Sequence, residues 1–140
     1  MQQQVVLSIQ GKQSYLDQEP EIIELVTDGI LEPVEDGWNL WYEESDLTGM
    51  EGVTTTFRIR GNQVTLTRTG NLHSEMVFQP GFVHESLYRL EFGALMLRVC
   101  ATKVEYQLDA HGGTVDLSYS IEIEHNAAGV IDYHLKIRSK

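Results

Sequence analysis

Residues 53–68 read Val53-Thr54-Thr55-Thr56-Phe57-Arg58-Ile59-Arg60-Gly61-Asn62-Gln63-Val64-Thr65-Leu66-Thr67-Arg68. In an extended chain Val53, Thr55, Phe57 and Ile59 share one face, and Thr54, Thr56, Arg58 and Arg60 share the other. A period of two marks a strand with one buried and one wet face. Gly61-Asn62 is a two-residue hairpin turn. Beyond it Val64, Leu66 and Arg68 resume the alternation. The stretch reads as an antiparallel hairpin that pairs Ile59 with Val64, Phe57 with Leu66 and Thr55 with Arg68.

The same pattern runs outward in both directions. Val115, Leu117, Tyr119, Ile121 and Ile123 alternate with polar residues, as do Ile131, Tyr133, Leu135 and Ile137. Strands are expected near 4–13, 21–33, 38–45, 52–60, 63–69, 73–79, 84–92, 94–102, 103–110, 114–125 and 130–138. Gly29 and Pro33 make the second either one bent strand or two. The apolar phase slips between Ala101 and Val104, so 94–102 and 103–110 are either two strands or one strand carrying a bulge. Glu19–Glu24 is the nearest thing to a helical turn, and Ile22, Ile23, Leu25 and Val26 suit a strand better. Short turns at Asp36-Gly37, Gly61-Asn62, Gly70-Asn71, Pro80-Gly81 and His111-Gly112-Gly113 string the strands into a meander. As an open sheet it would expose long edges, and closure into a barrel removes them. The expectation is one all-β domain over residues 1–140, an antiparallel barrel of about ten strands with little helix.

Composition excludes several functions. The formal charge is −11, with 41% hydrophobic and 22% charged residues. That apolar content can build a core, so the chain is no disordered acidic tail. The negative field disfavours nucleic acid, and no stretch approaches the ~20 apolar residues of a spanning helix. The single cysteine, Cys100, excludes an internal disulfide and a cysteine-built metal site. Met1–Ser8 has no basic and no long apolar region, so no signal peptide is read and a cytoplasmic location is expected.

Tyr42-Glu43-Glu44, Thr48-Gly49, the Thr-rich strand and Arg68-Thr69-Gly70 follow in an order that resembles the YwiB-like family. The likeness continues through Met76-Val77-Phe78, Tyr88, Phe92-Gly93, Thr102 and Tyr119, and covers about residues 4 to 138. The resemblance implies a bacterial protein with a lipocalin-like (calycin) β-barrel. It implies no catalytic residue, because the family carries no established activity. The Gly-x-Trp that opens ordinary lipocalins is absent, since Gly11 is followed by Lys12 and Gln13.

Arg68 is the anomaly, because it stands in phase with Val64 and Leu66 on the apolar face. With Tyr42 beside Thr55, the residues Tyr42, Thr55 and Arg68 form a row across three strands, and Glu44 lies one step toward the rim. An arginine facing a barrel interior must be paired or reach water. It either pairs internally with Glu44 or caps the barrel end, or it awaits a ligand's carboxylate or phosphate. The internal roles rank ahead of ligand capture. Interior rings are expected at Trp38, Tyr42, Phe57, Phe78, Tyr88, Phe92, Tyr106, Tyr119 and Tyr133. So many rings predict a largely filled interior, with room for a small polar pocket at one end. The candidate ligand-binding set is Arg68, Tyr42, Glu44, Thr55, Tyr88 and Tyr119.

Other chemistry is not visible. The five histidines show no ligating spacing, although the last hairpin could bring His125 and His134 together. No metal and no cofactor is implied. There is no nucleophile elbow or phosphate loop, so an enzyme ranks last. Apolar loop residues Leu47, Met50, Phe82 and Val83 are expected to fold back as caps. The leading expectation is a non-enzymatic module for a small molecule, anionic or flat and apolar. The alternative is a filled barrel acting through its surface, with a second copy of the chain as a candidate partner.

Overall fold

The computed structural model describes residues 2–14, 19–45, 51–90 and 93–140, apart from the side chains of Tyr88 and Leu90. Ten strands follow in order: β1 (Gln3–Ser14), β2 (Glu21–Val34), β3 (Gly37–Glu43), β4 (Val53–Arg60), β5 (Gln63–Gly70), β6 (Ser74–Phe78), β7 (Val83–Leu90), β8 (Gly93–Asp109), β9 (Gly112–Ile123) and β10 (Asn126–Ser139). All pairings are antiparallel. The sheet order β6-β5-β4-β3-β2-β1-β10-β9-β8-β7 places the first and last strands side by side at its centre. No helix occurs among the described residues, so none is long and apolar enough to cross a membrane.

The sheet curls until its two edge strands meet. Their seam is held by one backbone bridge, His73 with Arg89, at 3.1 and 2.8 Å. Side chains supply the rest: Ser86 Oγ donates to the Glu75 carbonyl at 2.7 Å, and the Val77 N–H donates to His84 Nδ1 at 3.3 Å. The barrel is therefore nearly closed, and its edges are covered rather than free.

Register follows the apolar phase. Ile59 pairs with Val64, Phe57 with Leu66 and Thr55 with Arg68. Leu66 opposes Met76, which keeps Met76 and Phe78 inside and Glu75 outside. The region 94–110 is one strand, β8, whose register shifts between Ala101 and Lys103. Thr102 is the extra residue, as a bulge in a continuous strand requires. The region 21–34 is also one strand, β2.

Strand length divides the barrel into two walls. β8, β9, β10, β1 and β2 run 17, 12, 14, 12 and 14 residues. β3, β4, β5 and β6 run 7, 8, 8 and 5. Where both walls are present, Leu7, Leu40, Phe57, Ile59, Val64, Phe78, Val99 and Leu135 are sealed from solvent. Above the short strands the tall wall continues alone. Its inward face there is Ile23, Leu25, Leu95, Ile121, Ile123 and Ile131, and none of these is fully buried.

One expectation fails here. Phe82 and Val83 stay exposed instead of capping the barrel. Val83 opens β7 on the outward phase, opposite Cys100, so strand pairing rather than loop collapse decides its place. His125 and His134 do not meet, because His125 sits in the β9–β10 turn with φ +69° and His134 pairs across the ladder with Asp116. Leu47, Met50 and Phe92 lie outside the described residues.

Candidate functional site

The short wall sets a polar row across the barrel. Tyr42 of β3 pairs with Thr55 of β4, Thr55 with Arg68 of β5, and Arg68 with Ser74 of β6. The alternation of each strand turns these side chains inward, one step above the sealed layer of Leu40, Phe57, Leu66 and Met76. Glu44 follows β3. Its N–H donates to the Val53 carbonyl at 2.8 Å, and this ladder bond aims its side chain inward as well.

Burial decides how these groups interact. The Glu44 side chain is 1% exposed and that of Arg68 is 15% exposed. Thr55 Oγ1 donates to Glu44 Oε2 at 2.6 Å. The same oxygen lies 4.0 Å from Arg68 Nε, an ion pair too long to be a hydrogen bond. Arg68 Nε and Ser74 Oγ are buried with no hydrogen-bond partner. The guanidinium is thus charge-compensated on its Nε side and not fully satisfied there.

The tall wall faces this row with two tyrosines. Tyr119 packs on Phe78 with ring centroids 4.5 Å apart, and Tyr133 lies over Phe57 at 6.0 Å. The hydroxyls of Tyr42 and Tyr133 are hydrogen-bonded to each other. Burial raises the pKa of Tyr42, Tyr119 and Tyr133 above the ordinary phenolic value. The nearby Arg68 charge opposes the rise at all three, and the Tyr42–Tyr133 bond raises Tyr42 further. All three remain protonated donors at neutral pH.

Above this floor opens a cavity of about 680 Å³. That size is ordinary for a small-molecule site. Arg68, Glu44, Tyr42, Tyr119 and Tyr133 line its base, and mainly aliphatic side chains of the tall wall, with Gln13 and Glu21, line its sides up to Ile23 and Leu95. The interior is therefore filled at one end and hollow at the other, with more room than the many rings suggested.

Most of the expected set converges here. Arg68, Tyr42, Glu44, Thr55 and Tyr119 form one cluster. Tyr88 pairs with Leu95 in the β7–β8 ladder, and its side chain lies outside the described residues. The set lacked Tyr133 and Ser74. Tyr133 had a signal in the sequence, because a glycine inside a strand marks a close approach. Gly11 pairs with Tyr133, and a Cβ there would lie 3.8 Å from the ring. No group of three or more potential metal ligands occurs among the described residues. His134 bonds Asp116 on the outer face, away from the cavity.

Comparison with known proteins follows the same lines. No curated protein matches the chain. A solved structure, "Crystal structure of ywiB protein from Bacillus subtilis", matches with a TM-score of 0.89 at 19% identity, covering 99% of this chain and 93% of that one. At this identity the likeness shows the fold alone. The family model described as "Domain of unknown function (DUF1934)" matches residues 7–137. With nearly all of its barrel inside that match, the chain belongs to the DUF1934 family.

Proposed function

We propose that this protein is a non-enzymatic binding module of the cytoplasm that holds a small molecule in the open end of its barrel. One observation carries the reading: an aliphatic-walled cavity of about 680 Å³ stands directly over a buried cluster of Arg68, Glu44 and three tyrosines. Such a combination suits a ligand with an apolar body and one polar group. A barrel serving only as a scaffold would gain stability by filling this space with larger side chains. The cluster also offers no nucleophile poised beside a base, and its tyrosines are held protonated.

A thermal-shift screen of small amphipathic molecules tests the reading. A ligand at 100 times its Kd raises stability by about 2.7 kcal/mol. The expected result is a hit that stabilises the native protein but not Ile121→Trp, whose indole projects into the cavity. A hit that stabilises both proteins equally places the ligand elsewhere and overturns the reading.

A further inference from the structure

We infer that the ligand is a single-chain aliphatic monocarboxylate, seated with its carboxylate down on Arg68, Tyr119 and Tyr133 and its chain against the isoleucines of the tall wall. The inference rests on the binding reading above and adds the chemical class.

Donors outnumber acceptors on the cavity floor. Arg68 brings only N–H groups, and Glu44 lies nearest its Nε. The rest of the guanidinium is left to the cavity it lines. Tyr42 and Tyr133 share one hydrogen bond between two hydroxyls that both line the cavity, so one of their two protons is left to be given. Tyr119 brings another hydroxyl beside it. Against these donors the floor's one carboxylate among the described residues is Glu44, and it takes the Thr55 hydroxyl. A ligand group made only of acceptors balances this surplus. A carboxylate fits, because it accepts several bonds and those from a guanidinium are charge-assisted.

Charge limits the class further. One arginine, paired with Glu44 and sharing the cavity with the Glu21 carboxylate, within a chain of net charge −11, cannot hold a dianion such as a phosphate monoester well. A monoanion asks less of it, and screening over about 8 Å at physiological salt leaves the adjacent Arg68 as the charge that counts. The walls choose the body. Ile9, Leu25, Ile121, Ile123, Ile131 and Leu97 are all branched aliphatics. The cavity's rings, Tyr42, Tyr119 and Tyr133, belong to its floor; the walls above offer no ring face for a flat aromatic to stack on, and they suit a flexible hydrocarbon chain.

Calorimetric titration with hexanoate, octanoate and decanoate, and with the alcohols of the same lengths, tests this. All are used below their aggregation concentrations. Each added methylene should tighten binding about 3- to 4-fold in both series. Each acid should bind about 10- to 100-fold tighter than its alcohol. Arg68→Met should erase that acid preference and keep the methylene slope. If the variant fails to fold, the acid-to-alcohol ratio in the native protein, together with Tyr119→Phe lowering that ratio, carries the test. A methylene slope with alcohols equal to acids, or with decylammonium binding tighter than decanoate, overturns the carboxylate class and leaves the cavity reading standing. No methylene slope in either series overturns the cavity reading and this inference with it.

Discussion

The two ends of the barrel share the strands of the tall wall and behave as opposites. At the filled end the short and tall walls stand face to face, and Phe57, Phe78, Ile59 and Val64 lose all contact with water. At the open end the tall wall has no partner, so Ile23 remains 47% exposed and Leu95 37% exposed. Apolar residues at the first end stabilise the fold by burial. At the second they contribute little to folding, and their apolar area is available to a ligand. The polar row of Tyr42, Thr55, Arg68 and Ser74 marks the boundary. The comparison teaches that a difference in strand length of a few residues converts half a core into a site.

The sharpest way to break this division is to truncate one side chain at each end. Phe57→Ala should destabilise the protein by about 3–5 kcal/mol, because it leaves a cavity where neighbours cannot collapse. Ile23→Ala should cost less than about 1 kcal/mol, because the side chain is half in water already. Denaturant unfolding of both variants measures the gap. Equal losses would mean that the open end is as much a core as the filled one.

Alkaline pH should attack the boundary selectively. Tyr42, Tyr119 and Tyr133 have raised pKa values in the fold, while in the unfolded chain they titrate near about 10. Above that unfolded value the unfolded chain has released protons that the folded chain still binds. Stability is therefore fully present below pH ~10 and falls as pH rises further. Each tyrosine contributes a slope of up to about 1.4 kcal/mol per pH unit. Tyrosinate absorption should then appear together with loss of β-sheet dichroism. Early, independent titration of these three phenols would show that the floor is wetter than the structure has it.

A smaller effect separates the two roles of the Arg68–Glu44 pair. Glu44→Ala strips Arg68 of its compensating charge and Thr55 of its acceptor, at a cost of about 1–3 kcal/mol. Combining Glu44→Gln with Arg68→Met should cost less than the sum of the two single changes, since neither charge is then left alone. Additive losses in a double-mutant cycle would show that the pair at 4.0 Å carries no coupling, and that Arg68 is free for a ligand.

Much of this was legible in the sequence for a physical reason. Period-two alternation states which face of a strand is buried, and hairpin turns such as Gly61-Asn62 state which residues pair. Together they place Arg68 beside Thr55 and Tyr42 without coordinates. The β8 bulge was legible as a slip of phase around Thr102. The seam was not, because His84 and Ser86 close it through side chains rather than a ladder. The cavity was not legible either. Its space depends on β2 and β8–β10 overshooting β3–β6 in three dimensions, and the alternation continues unchanged past the point where the opposite wall stops. Ile121 and Leu117 look alike in the sequence, yet Leu117 is buried and Ile121 lines the cavity.

The smallest effect tests the boundary from the tall wall. Gly11 lies inside β1 opposite Tyr133, without a positive φ. A glycine in a strand costs conformational entropy that alanine does not. Elsewhere the barrel needs its glycines: at Gly70, with φ +112°, a Cβ would lie 2.1 Å from the Gly52 carbonyl oxygen. At Gly11 the nearest atoms to an added Cβ are Tyr133 ring carbons at 3.8 and 4.0 Å, an ordinary contact. Gly11→Ala should therefore stabilise the protein by about 0.4–1 kcal/mol, read as a rise in the denaturant midpoint with an unchanged m-value. Because the new methyl faces the cavity and dries the Tyr133 ring beneath it, the same variant should lose stability above pH ~10 at least as steeply as the native protein. A loss of stability at neutral pH would instead mean that Tyr133 has no room to share, and that the floor of the open end is packed as tightly as the filled end.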